Sequence, residues 1–145
     1  MRKLLASTFC ILLSSQMSIA LGQEDSRKAI NLTESERNLV LAEMRTFLDT
    51  VRSITVSLSR GDVQSLAKAA KSVGMAASGE VPPELSLKLP LEFKLFAMKT
   101  HKAFDQIALD AIDMEDKQQT LEQLGNLMGN CVACHAIYRL PVPKE

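Results

Sequence analysis

The sequence predicts an all-α protein, folded as an antiparallel four-helix bundle. Three observations predict it. Apolar residues recur at steps of three and four along four separate stretches, which is the period of a helix with one buried stripe. Strand signals are nearly absent: no tight hairpin dipeptide lies between alternating runs, and Gly and Pro together number only 11 of 145 residues. Finally, a helix with one apolar stripe is unstable alone, and four such helices joined by short connections can bury each other's stripes.

The first helix opens with Thr33 and Glu36, the spacing of a capping box. Val40, Met44, Phe47 or Leu48, Val51, Ile54 and Leu58 then mark its inward stripe, and Gly61 ends it. Asp62 can cap a second, shorter helix carrying Val63, Leu66, Ala67, Ala70, Val73 and Ala77 and ending at Gly79. Residues 81–90 hold Pro82, Pro83 and Pro90 and predict an irregular connection. The period resumes with Phe93, Ala97, Thr100, Phe104, Ile107 or Ala108, and Ala111. Acidic residues from Asp113 to Asp116 break that helix and suit the positive dipole end of the next. The last helix carries Leu121, Leu124, Met128, Cys131, His135 and Tyr138, and Pro141 and Pro143 stop it.

Two domains of fate divide the chain. Arg2 and Lys3 precede an apolar stretch from Leu4 to Leu13, too short to span a bilayer, and small residues at Ala20 and Gly22 follow. Residues 1–22 thus predict a signal peptide cleaved after Gly22, and residues 23–145 a single exported domain with no membrane anchor. The prediction places the mature chain in the periplasm, where cysteine chemistry is oxidising. Cleavage removes Arg2, Lys3 and Cys10, leaving 15 basic against 17 acidic residues and two cysteines. Such a balance provides no electrostatic footprint for nucleic acid.

Both remaining cysteines stand in Cys131-Val132-Ala133-Cys134-His135. This C-x-x-C-H is the attachment motif for haem c. Two thiols at this spacing can add to the two vinyl groups of one porphyrin edge, and the adjacent imidazole then reaches the iron. A thioredoxin-like thiol pair needs a βαβ context that is missing here. A zinc site needs about four ligands, and only His101 joins the motif's three. A disulfide across two intervening residues is strained on a helix and leaves His135 without a role.

The motif lies on the last helix and continues as His135-Ala136-Ile137-Tyr138-Arg139. A C-terminal C-x-x-C-H-x-x-Y-R on the final helix of four resembles the class II c-type cytochromes, the cytochrome c′ family, which is itself among the four-helix bundles. The resemblance implies one covalent haem anchored by Cys131 and Cys134, with His135 as proximal iron ligand and Arg139 against a haem propionate. It also implies that the first helix sets the distal face. There Leu39-Val40-Leu41-Ala42-Glu43-Met44-Arg45 puts Met44 on the inward stripe, so Met44 is the expected sixth ligand. A thioether in that place favours ferrous iron and suits an electron carrier. Its rivals are Met98 on the third helix and His101, which falls beside that helix's stripe and is expected to be partly exposed.

The functional expectation is therefore a periplasmic monohaem cytochrome that carries single electrons between redox partner proteins. The alternative is a high-spin member that binds NO or CO at an open distal site. Dimers are common in the family, so a second copy is a candidate partner. No catalytic set stands out, and the chain is not expected to be an enzyme: no histidine lies near Arg37 or Arg45 to make a peroxidase-like distal pair.

Overall fold

A computed structural model describes residues 24–143. The predicted signal peptide lies outside the described residues. Helices dominate: α1 (Glu34–Arg60), α2 (Val63–Lys71), α3 (Pro83–Lys88), α4 (Leu91–Met114) and α5 (Lys117–Ile137), with a single 3-10 turn at Ala77–Glu80. Two short strands, β1 (Lys28–Ala29) and β2 (Tyr138–Arg139), pair in parallel. Among the described residues no helix is long and apolar enough to cross a membrane.

The helix ends follow local chemistry. Thr33 Oγ1 accepts from the Glu36 amide, and Glu36 Oε2 accepts from the Thr33 amide at 2.9 Å, which completes the capping box. Lys88 Nζ also donates to Glu36 at 2.7 Å, tying α3 to the start of α1. At the other end Gly61 adopts φ 70°, a left-handed conformation that costs glycine little, and Asp62 then caps α2 by accepting from the Ser65 amide. Asp116 caps α5 by accepting from the Gln118 and Gln119 amides. Each of these junctions, Gly61-Asp62 and Glu115-Asp116, is two residues long and turns the chain back against the helix it has just left.

Three expectations about elements need correction. The second helix ends at Lys71 rather than Gly79. The break follows from Gly74, which lies so close under the Asp105 carboxylate that a side chain there would overlap it. Asp105 Oδ2 in turn accepts from the Met75 amide at 2.8 Å, an amide the helix no longer uses. The proline-rich connection is not wholly irregular: Pro83 is the first residue of α3, where its missing N–H costs nothing. And β1–β2, which the sequence does not announce, joins the segment before α1 to the end of α5.

The core has two parts. The larger draws Phe47 and Ile54 from α1, Leu66 and Ala70 from α2, Phe104 and Ile107 from α4, and Leu124 and Leu127 from α5. Fully burying a side chain of this size contributes roughly 1.5–3 kcal/mol. The smaller gathers Ile30, Leu32, Val40, Leu85, Leu89 and Tyr138. Contacts are extensive between α2 and α4, α4 and α5, and α1 and α2, but sparse between α1 and α5.

Candidate functional site

The C-x-x-C-H motif occupies the last two turns of α5. Its rotation about the helix axis differs from expectation. The inward residues are Leu124, Leu127, Cys131, Cys134 and Tyr138, whereas Leu121, Met128 and His135 are exposed. Both sets obey steps of three and four, so periodicity alone cannot choose between them. Side chains bonded to α4 mark the inward face: Asn130 Nδ2 donates to the Phe96 carbonyl at 3.0 Å and to Thr100 Oγ1 at 2.6 Å, and Gln123 Nε2 donates to Asp110.

Both thiols are half-buried and unpaired. Cys131 packs against the larger core and Cys134 against the smaller. Cys131 Sγ donates weakly to the Leu127 carbonyl at 3.5 Å. Burial pushes the Cys131 thiol up, and burial with the neighbouring Cys131 and Glu92 pushes Cys134 up to about 11. The thiols are therefore protonated and shielded at neutral pH. His135 projects from the flank of this face, and its carbonyl accepts from Arg27 Nη1 at 3.3 Å.

Met44 is partly buried and packs against both cores, the same two that receive Cys131 and Cys134, and α1 and α5 make few direct contacts.

The rival ligands are elsewhere. His101 is not the partly exposed residue the sequence implies. It is 3% exposed, its Nδ1 lies 2.8 Å from the Val73 carbonyl, and its Nε2 lies 3.5 Å from Glu43 Oε1. Glu43 and the carbonyls of the α2 terminus draw a proton toward the ring and raise its pKa despite burial. His101 and Met98 both line a cavity of about 560 Å³ between α1, α4 and the connection, together with Val40, Phe47, Val73 and Phe93. No α5 residue lines it. The structure therefore groups Met98 with His101, and Met44 with the cysteines.

Arg139 sits in β2, not free at a helix end. Its Nε donates to the Arg27 carbonyl at 3.3 Å and lies 3.7 Å from Asp25 Oδ2. Beside it Tyr138 is buried, and its hydroxyl donates to Glu92 Oε2 at 2.7 Å; that carboxylate pushes the phenol up to about 12. Sequence reasoning missed Asp25, Arg27, Glu43 and Glu92. The one available signal was Ile30-Asn31-Leu32, two apolar residues at alternate positions just ahead of the capping threonine, which mark a segment that is held down.

Compared with known proteins, the chain matches no family model, no curated protein and no solved structure.

Proposed function

We propose that the chain is an exported monohaem c-type cytochrome of the class II kind, an electron carrier whose α1, α2, α4 and α5 form an antiparallel four-helix bundle. The observation that carries this is the motif's setting: two unpaired thiols one helical turn apart, half-buried on the inward face of the last helix, with an uncommitted imidazole beside them. That donor set is what a covalently held haem requires. The loose α1–α5 side, bordered by Met44, supports the same conclusion, since a flat group held by α5 would meet α1 there.

When bound, haem supplies the one-electron ferric–ferrous chemistry. The chain's own part is then to hold and shield. Cys131 and Cys134 would anchor the group, His135 would give the proximal nitrogen, and Met44 the distal thioether. Val40, Phe93 and Phe96 would keep water from the smaller core's side. Arg139 is already committed to Asp25 and the Arg27 carbonyl, so a propionate contact would have to compete with these partners. Redox partner proteins in the periplasm follow from this proposal.

The test is expression in a host that exports the protein and attaches haem. The expected result is one haem retained through denaturation and lost in the Cys131→Ser/Cys134→Ser variant. The wild type should be low-spin, and Met44→Ala should make it high-spin. A wild type already high-spin, binding CO readily when reduced, would replace the electron carrier with a gas-binding function. Absence of any covalent haem would overturn both.

A further inference from the structure

Residues 25–32 form a strap across the end of the motif helix, and we propose that Arg27 in this strap positions His135 by fixing its backbone. The role as ligand-positioning device rests on the function proposed above; the strap itself rests on geometry alone.

The last carbonyls of any α-helix lack partners within the helix. In α5 two of them are supplied from outside the helix or from the residue just beyond it. The Tyr138 amide returns to the Cys134 carbonyl, and Arg27 Nη1 donates to the His135 carbonyl at 3.3 Å across 108 positions of sequence. Arg27 is itself held in place. Its Nε and Nη2 donate to the two oxygens of Asp25 at 2.9 and 2.8 Å, so the guanidinium is clamped and its third nitrogen is aimed at the helix end. A cation there also meets the negative end of the helix dipole.

The rest of the strap is anchored independently. The Ile30 amide donates to the Arg139 carbonyl at 3.0 Å, β1 pairs with β2, and Arg139 Nε returns a hydrogen bond to the Arg27 carbonyl. Ile30 and Leu32 are buried against Tyr138, Leu85 and Leu89. Arg37 Nε adds a donor to the Leu140 carbonyl just downstream. The residue that presents the imidazole is therefore bracketed by donors from the chain's other end. Fixing the backbone that carries a ligand restricts the orientation of its side chain, and that orientation tunes the metal.

The experiment uses full-length protein exported and matured with haem, as wild type, Arg27→Ala and Arg27→Lys. Two quantities are read: amide hydrogen exchange at residues 134–139, and the reduction potential. In Arg27→Ala, exchange at 134–139 should rise about tenfold while the Ile54–Leu58 amides of α1 stay unchanged. The potential should shift, because the His135 imidazole is no longer held in one orientation. Arg27→Lys, which keeps the charge and one donor, should recover part of both. Full recovery of the potential in Arg27→Lys with exchange still fast would assign the shift to charge alone and overturn the positioning role. Faster exchange with an unaltered potential would reduce the strap to a structural clip and overturn the positioning role. No change in exchange would overturn the strap altogether. The same exchange comparison in Cys131→Ser/Cys134→Ser protein needs no haem. Faster exchange there on losing Arg27 supports the strap even if the haem proposal fails, so the two failures are distinguishable.

Discussion

His101 and Gly74 are governed by neighbours that no local pattern announces. His101 sits between the Val73 carbonyl and the Glu43 carboxylate, with its pKa raised from 6.5 chiefly by Glu43. A raised value in the folded state means that the proton favours folding. That contribution is full below the unfolded value of 6.5 and is lost as pH rises through the higher folded value. Urea midpoints should therefore fall from pH 6 to pH 8 in the wild type, and His101→Gln should flatten that dependence. An unchanged slope in the variant would show that Glu43 does not hold the proton there. Gly74 meets the Asp105 carboxylate so closely that Gly74→Ala should destabilise by roughly 1–3 kcal/mol through overpacking. Adding Asp105→Ala removes the clash, so the double variant should cost less than the sum of the singles. Strict additivity in chemical denaturation would count against that close approach.

At the scale of elements, caps and turns were legible and rotations were not. The Thr33–Glu36 box, the Gly61 stop and the Asp62 cap stand where the sequence puts them, and Asp116, the last residue of the acidic break, caps α5, because each is satisfied within four residues of chain. Thr33→Ala leaves the Glu36 amide without its acceptor and should cost about 1 kcal/mol, measured as a lowered denaturant midpoint. A neutral outcome would mean that water replaces the hydroxyl without loss. The face α5 turns inward was misjudged because Leu124–Leu127–Cys131–Cys134 and Leu124–Met128–Cys131–His135 are equally periodic. Tertiary contacts separate them: Asn130 bonds two α4 groups, Gln123 bonds Asp110 and Tyr138 bonds Glu92. The early end of α2 is likewise set by Asp105, a residue 30 positions from the amide it takes.

At the scale of the whole molecule, α2 packs closely on α1 and α4, and α4 on α5, whereas the side between α1 and α5 is loosely joined. Haem attached at Cys131 and Cys134 would add apolar surface at that side and should raise the melting temperature above that of the Cys131→Ser/Cys134→Ser variant. For a domain near 120 residues the gain is about 3–5 °C for each kcal/mol. Circular dichroism melts of the two proteins check this, and equal melting temperatures would mean that the group adds no packing. Of the proposed site, Cys131, Cys134 and His135 are adjacent in sequence and could be named from it, and Met44 could be nominated from the first helix's register. The strap could not, since its hydrogen bonds join residues more than 100 positions apart.

The sequence by itself determined the helical class, the capped helix starts and the motif, because these depend on side chains within a turn or two of one another. Tertiary structure alone decided that His101 is buried against Glu43, that Met44 rather than Met98 shares the cysteines' surroundings, and that the segment before α1 grips the end of α5. Those outcomes depend on which faces meet once several equally periodic stripes compete for one core, and that competition is settled by long-range hydrogen bonds and packing.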